Sequence, residues 1–128
     1  AKSGIRDKFI FTGLVDRKDI PGLVAAMDIL VHTSLREGLP RVLVQAMACG
    51  VPAISFDIDG ASEVVIEGNT GFLVPPENTE ALANAIISAL SGTKELRVMG
   101  EKGRRWVVPL FSEETMVEKI DKLYRELL

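Results

Sequence analysis

Four short runs of apolar residues alternate with segments of helical periodicity along this chain of 128 residues. The runs cover residues 8–13, 29–34, 52–57 and 70–76. Within a run the apolar residues follow one another and do not alternate with polar residues. A strand with that pattern is buried on both faces, which is typical of a parallel sheet covered by helices on each side. The sequence therefore predicts an α/β fold, a Rossmann-like parallel sheet flanked by helices.

The segments between the runs have the signals of helix ends. Pro40 is well suited to the first position of a helix, and Gly50 ends that helix just after Ala48. Asn78 or Thr79 caps a later helix, and Ser112 opens the last one. The predicted helical segments are 19–28, 40–48, 59–68 (a turn and a short helix), 78–90, 95–108 and the segment from 112 onward.

Composition limits the classes of function. Apolar residues make up 47% and charged residues 26%, which suits one folded domain over residues 1–128. The net charge of −3 argues against a general nucleic-acid or anionic-membrane surface. No apolar run reaches the roughly 18 residues that a transmembrane helix needs. One cysteine and one histidine exclude an internal disulfide and a zinc site, and favour a reducing compartment.

The loop after the run at 29–34 is the strongest candidate site, because parallel sheets bind ligands at the carboxyl ends of their strands. Glu37 stands in this loop as an acceptor for hydroxyl donors such as those of a sugar. Gly38 lets the backbone approach a ligand, with Leu39 beside it in the turn. The alternative is that Glu37 is a solvated acid and Gly38-Leu39-Pro40 merely a turn.

The helix that follows adds two kinds of ligand-binding group. Its first amides, those of Arg41, Val42 and Leu43, have no acceptor within the helix and form an anion site of the phosphate-binding kind. Gln45 lies in the second turn, and its side chain points back toward the same end. We interpret it as a buried amide that meets ribose hydroxyls, or else as one bonded to neighbouring backbone.

Three other residues have weaker claims to a function. His32 lies in a predicted strand and is interpreted as structural or as part of the rim of the site. Cys49 stands among apolar residues at a helix end, where a small buried hydrophobic residue is expected. Glu63 opens a short helix, where it serves either as a ligand contact or to stabilise the helix dipole.

Three stretches in the same order resemble the C-terminal, donor-binding domain of the family 4 glycosyltransferases, retaining enzymes of the GT-B fold. They are "SLREGLPRVLVQAMACGVPAISFD" (34–57), "GASEVV" (60–65) and "GNTGFLVPP" (68–76). The resemblance implies that Glu37 is the candidate catalytic residue and contacts the donor sugar. The family's second glutamate, which grips the nucleotide ribose, falls on Gln45, so the charge-assisted bond is lost there.

The resemblance also implies partners. The donor is a nucleotide sugar such as a UDP- or GDP-sugar, and neither a cofactor nor a metal is expected. The family's acceptor-binding N-terminal domain and phosphate-binding Arg and Lys would precede this sequence. The chain is thus interpreted as a hexosyltransferase fragment truncated at its N-terminal side and inactive alone. The expected location is the cytoplasm, and the alternative is that the full-length protein is attached to the surface of the inner membrane.

The family's strand order, 3-2-1-4-5-6, has a consequence for the fragment. The four predicted strands correspond to strands 3, 4, 5 and 6 of that order, so the strand at 29–34 is left as an apolar edge. Either residues 8–13 move in to cover this edge, or two chains associate through it as a homodimer.

Two other functions stay open. The chain could be a non-catalytic, Rossmann-like nucleotide-binding or assembly module that keeps the fold without the catalytic activity. Gln45 is the residue that favours this alternative. A flavodoxin-like signalling domain would need an acidic cluster at the end of the first strand, where Thr12-Gly13 stands instead.

Overall fold

A computed structural model describes residues 4–128 and contains three strands and six α-helices over that range. The elements are a 3-10 helix at Arg6–Lys8, α1 (Ile20–Ala25), β1 (Leu30–His32), α2 (Arg41–Ala48), β2 (Ala53–Phe56), α3 (Ala61–Val64), β3 (Gly71–Val74), α4 (Thr79–Ser91), α5 (Thr93–Leu110) and α6 (Glu113–Leu127). The predicted alternation of strands and helices is therefore present from β1 onward.

The three strands form one parallel sheet in the order β1-β2-β3. His32 of β1 lies beside Ser55 of β2, and Phe56 of β2 lies beside Val74 of β3. All four residues of the central strand β2 are buried. The predicted α/β fold with a parallel sheet flanked by helices is confirmed.

The hydrophobic core lies on both faces of this sheet. Successive side chains of a strand point to opposite faces, and Ala53 and Ile54 accordingly belong to different buried clusters. Ala53 packs with the cluster that contains Leu43, Met47, Ala61, Val64, Val65 and Val107. Ile54 packs with the cluster that contains Phe56, Val74, Ala89 and Leu96. Helices α2, α3 and α5 thus contribute to one face, and α4 with the start of α5 to the other.

Helix α5 lies unusually close to the chain at the end of α2. A Cβ built on Gly100 would lie 2.0 Å from the Gly50 carbonyl oxygen, and one on Gly103 would lie 3.2 Å from Met47 Cε. The indole of Trp106, further along α5, donates to the Val64 carbonyl at 3.0 Å. These contacts hold α2 and α5 in a single arrangement, with α3 bonded to them.

The predicted first strand, at residues 8–13, is wrong. This segment has no strand in the structure, and its apolar side chains lie in solvent, with Ile10 89% and Phe11 83% exposed. The rings of Phe9 and Phe11 stack on each other with centroids 6.3 Å apart. Since a strand needs a neighbour for its backbone groups, an apolar run without one stays irregular. Residues 8–13 also do not cover the β1 edge.

The helix ends follow the sequence closely. The Asn78 side chain accepts from the Ala81 amide at 2.9 Å, and Ser112 accepts from the Thr115 amide at 3.1 Å. Pro40 differs from its prediction by one position, because it is the extended N-cap of α2 and not its first helical residue. No helix within residues 4–128 is both long and apolar enough to cross a membrane.

Candidate functional site

Two loops meet at the carboxyl ends of β1 and β2. The first, 33–40, joins β1 to α2, and the second, 57–60, joins β2 to α3. Gly60 has a φ of 73°, and a Cβ at this position would lie 1.7 Å from the Gly38 carbonyl oxygen. Only glycine fits both the conformation and the space. This contact places the loop that carries Glu37 against the start of α3.

The Glu37 carboxylate is held by a histidine from the adjacent strand. Glu37 Oε1 lies 3.0 Å from His32 Nε2, and the two side chains are 36% and 11% exposed respectively. The other ring nitrogen, Nδ1, lies 3.3 Å from Ser55 Oγ, which itself donates to the Phe56 carbonyl at 2.9 Å. Ser55 is fully buried. The carboxylate is thus the outer end of a chain of polar contacts that starts inside the sheet.

This link between His32 and Glu37 was not predicted from the sequence. The signal that could have revealed it is the pair of polar residues, His32 and Ser55, inside two otherwise apolar strands. They become neighbours because the register of β1 and β2 places them side by side. That register is not evident from the sequence, since it depends on a pairing between residues far apart in the chain.

The N-terminus of α2 faces the same loop. No side chain caps this helix, and the buried Pro40 precedes it in an extended conformation. The Leu43 amide donates to the Pro40 carbonyl at 3.0 Å, and the Leu43 side chain is fully buried. The predicted number of amides without an acceptor is therefore corrected from three to two. These are the amides of Arg41 and Val42, which have no carbonyl acceptor within the helix because they lie at its start.

Gln45 is exposed, so the interpretation of it as a buried amide is wrong. It belongs to the second turn of α2, as predicted, but on a face of the helix that the core does not cover. Its amide is therefore solvated in the structure, and the need for an internal hydrogen-bond partner disappears.

The turn between Glu37 and the helix is open to solvent. Leu39 is 41% exposed, and a Cβ built on Gly38 would meet no atom within 4 Å. Arg36 and Arg41, on either side of the turn, are exposed as well. The loop therefore combines one carboxylate with two nearby cationic side chains and uncapped amides, a set suited to a ligand with both hydroxyls and phosphates.

The weaker candidates lie apart from this chain of contacts. Glu63 is an exposed residue in the first turn of α3. Cys49 is half-buried, and its Sγ lies 4.0 Å from the Pro21 carbonyl oxygen, the limit for a sulfur hydrogen bond. In the part of the chain that the structure describes, no group of three or more His, Cys, Asp or Glu side chains could hold a metal ion.

Comparison with known proteins identifies relatives over nearly the whole chain. The family described as Glycosyl transferases group 1 matches residues 1–106. The N-acetyl-alpha-D-glucosaminyl L-malate synthase of Bacillus anthracis is 34% identical over 124 residues, which is 97% of this chain and 32% of that protein.

Two solved structures share the fold. Sucrose-phosphate synthase from Thermosynechococcus elongatus superposes with a TM-score of 0.91 and 35% identity, over 98% of this chain and 32% of that one. Anabaena HepE in complex with UDP-glucose superposes with a TM-score of 0.89 and 31% identity, over 98% of this chain and 34% of that one. The chain spans about a third of the length of each of these proteins.

Proposed function

Because the chain belongs to the glycosyl transferases of group 1, we propose that it is the donor-binding part of an enzyme that moves a sugar from a nucleotide sugar to an acceptor. The observation that supports this most directly is the Glu37 carboxylate, held by His32 beside the uncapped N-terminus of α2. The carboxyl ends of parallel strands are where folds of this kind bind nucleotides.

The proposed roles follow from the chemistry of each group. Glu37 accepts hydrogen bonds from hydroxyls of the donor sugar. The amides of Arg41 and Val42 face the diphosphate, since a helix N-terminus favours an anion. Gly38 and Leu39 bring the backbone of the turn close to the donor, and the buried Leu43 side chain anchors the helix in the core.

Gln45 is proposed to meet the nucleotide ribose. Its amide can accept one hydrogen bond and donate another, but it lacks the charge of the glutamate that stands there in the family it resembles. Its exposure leaves the side chain accessible to a ligand.

The donor class and the mechanism are part of the proposal. The solved complex of Anabaena HepE contains UDP-glucose, so a UDP-sugar is the first donor to test, with a GDP-sugar second. By its resemblance to family 4, the reaction retains the configuration of the anomeric carbon. It is proposed to use no cofactor and no catalytic metal.

The remainder of the enzyme would supply the acceptor site and further cations for the diphosphate. The relatives are about three times as long as this chain, so we propose that the 128 residues alone do not turn over. The proposed location is the cytoplasm, because a single unpaired cysteine suits a reducing compartment.

The edge of β1 is proposed to be covered in the functional protein, either by another part of the same enzyme or by a second copy of this chain. A bare strand edge presents unpaired backbone groups that favour pairing. Sedimentation of the 128-residue chain at several concentrations tests the second alternative, which predicts a dimer whose fraction rises with concentration.

Glu37→Ala in the full enzyme tests the central assignment. We expect turnover of the nucleotide sugar to fall by about 10²-fold or more, because a positioned contact at the reacting sugar is lost. The melting temperature should hardly change, since Glu37 is partly exposed. The control is Glu118→Ala on α6, which also removes one carboxylate from an exposed position. Equal rates for the two variants would refute the role of Glu37.

Gln45→Glu tests the ribose contact. Restoring a carboxylate at this exposed position should tighten binding of the nucleotide by about 1 kcal/mol, the difference between a charge-assisted hydrogen bond and a neutral one. Calorimetry with UDP measures this directly. Weaker binding would show that Gln45 faces something other than ribose hydroxyls.

The second candidate function is a non-catalytic binding or assembly module, favoured by Gln45 in place of a glutamate. It predicts that the full-length protein binds a nucleotide sugar but neither transfers nor hydrolyses the sugar. Measurement of donor binding and of sugar release on the same sample separates the two functions.

A further inference from the structure

We propose that His32 is a positioning residue that fixes the Glu37 carboxylate for the donor sugar, with Ser55 holding the imidazole ring from its other side. This inference rests on the proposed function of Glu37 and assigns a role to the chain's single histidine. It is carried by the two contacts of the ring, 3.0 Å from Nε2 to Glu37 Oε1 and 3.3 Å from Nδ1 to Ser55 Oγ.

The sheet fixes the histidine before the loop is considered. His32 and Ser55 are register partners in β1 and β2, and neighbouring side chains on one face of a sheet lie close together. Ser55 is fully buried, and the His32 side chain is only 11% exposed. The imidazole therefore has a fixed place at the end of the sheet, whereas Glu37 stands in a loop and has no such support from the sheet itself.

Glu37 needs such a partner because of where it lies. Its side chain is 36% exposed and stands in the loop between β1 and α2, so rotamer freedom would spread the carboxylate over several positions. A hydrogen bond from the imidazole to Oε1 removes part of that freedom before any ligand arrives. Pre-organised groups contribute more to a reaction than groups that must be ordered on binding.

The contact also gives the two oxygens of the carboxylate different roles. Oε1 is engaged by His32 Nε2–H, and Oε2 is left to accept from a sugar hydroxyl. Donation to the carboxylate requires a proton on Nε2, while Nδ1 lies 3.3 Å from Ser55 Oγ, whose own proton is donated to the Phe56 carbonyl. The direction of Oε2 then determines from which hydroxyl of the donor sugar it can accept a hydrogen bond. His32 therefore contributes to recognition of the sugar and not of the nucleotide.

Two matched substitutions separate this role from a structural one. The side-chain nitrogen of glutamine can occupy the place of Nε2, and that of asparagine the place of Nδ1. His32→Gln therefore keeps a donor for Glu37, whereas His32→Asn keeps a polar group only for Ser55. If His32 mattered only for the stability of the sheet, its contact with the buried Ser55 would be the important one, and His32→Asn would be tolerated better.

The experiment is steady-state kinetics of the full-length enzyme with UDP-glucose as donor, together with calorimetry using UDP alone. We expect His32→Asn to lower kcat/KM for the donor by about tenfold to a hundredfold, with the affinity for UDP unchanged. His32→Gln should recover most of the activity. The role is overturned if His32→Asn and His32→Gln behave alike, or if UDP binding falls as much as kcat/KM.

A spectroscopic measurement on the 128-residue chain needs no activity. Because the chain has one histidine, its imidazole nitrogens give one set of NMR signals. We expect Glu37→Gln to shift the Nε2 signal more than the Nδ1 signal, with Glu118→Gln on α6 leaving both unchanged. Equal nitrogen shifts in the Glu37 variant and the control would overturn the contact itself. If instead Glu37→Ala leaves turnover intact while the contact is present, the proposed function fails and the pairing stands.

Discussion

Two apolar runs of the same length differ in secondary structure and burial in this protein. "KFIFTG" at 8–13 is irregular from Phe9 onward, with Phe9, Ile10 and Phe11 all exposed. "PAISFD" at 52–57 contains β2, whose four residues are all buried. Both runs have residues that favour strands, so their local preference does not explain the difference.

The difference lies in the neighbours that each run finds. β2 has a parallel strand on both sides, so its backbone amides and carbonyls are paired and both its faces are covered. The run at 8–13 has no adjacent strand among the described residues. A strand is therefore a property of a pair of segments, whereas a helix satisfies its backbone groups within one segment.

Amide hydrogen exchange should show the largest contrast between the two runs. Amides of residues 53–56 exchange only by opening of the sheet, whereas those of 10–13 need no opening. With a global stability of about 5 to 15 kcal/mol, we expect exchange rates at least 10³-fold slower in β2. Mass spectrometry of peptides from the 128-residue chain measures both at once.

The same measurement on the full-length enzyme sharpens the comparison. If the proposed longer protein supplies a neighbouring strand, residues 8–13 should become protected there while β2 changes little. Fast exchange of residues 8–13 in both proteins would mean that this run is a loop in its own right, and that the resemblance of "FIFTG" to a family strand is misleading.

Truncation of one isoleucine in each run comes next in size. Ile54 is fully buried and Ile10 is 89% exposed. We expect Ile54→Ala to lower the free energy of unfolding by about 2 to 5 kcal/mol, because it removes buried methyl groups and leaves a cavity. Ile10→Ala should change it by no more than about 0.5 kcal/mol. Urea denaturation gives both values, and equal losses would contradict the exposed placement of residues 8–13.

Two glycine substitutions should differ in sign, with the smallest effects. A Cβ on Gly71 of β3 would lie 2.2 Å from the Ala53 carbonyl oxygen, whereas one on Gly22 of α1 would meet nothing within 4 Å. We expect Gly71→Ala to destabilise by about 1 to 3 kcal/mol. Gly22→Ala should stabilise by about 0.5 kcal/mol through the better helix propensity of alanine. Thermal melts of both variants test this, and a stabilised Gly71→Ala would show that the two strands can separate.

Much of the fold was predictable because it rests on local signals. Asn78 and Ser112 cap helices as their side chains suggest, and Gly50 follows the end of α2. These features depend on a few adjacent residues. The strand at 8–13 was predicted wrongly because its outcome depends on a partner elsewhere, which the local sequence does not contain.

In the candidate site, too, some features follow from adjacent residues and others depend on distant partners. The loop with Glu37 and the helix start after it were predictable, since they follow directly from one strand and one proline. The exposure of Gln45, the bonded Leu43 amide and the contact of His32 with Glu37 were not. The direction in which Gln45 points depends on how α2 lies on the core, and the histidine contact depends on the register of β1 and β2. The functional roles of these residues stay predictions.

The close approach of α5 to the end of α2 has a consequence for mutational libraries of this chain. Gly100 faces the Gly50 carbonyl with no room for a Cβ, so every substitution there should be lost when variants are selected for folding. A Cβ on Gly103 would lie 3.2 Å from the flexible side chain of Met47, so this position should accept only small residues. Exposed positions between and beside them, such as Glu101 and Lys102, should accept most residues. A deep mutational scan should therefore show α5 as restricted at these two glycines and at the buried Leu96 and Val107, and tolerant at its exposed positions. Because the partners of the two glycines are Met47 of α2 and Gly50 just after it, selection for folding alone would also preserve the direction of α2, whose N-terminus is proposed to face the donor.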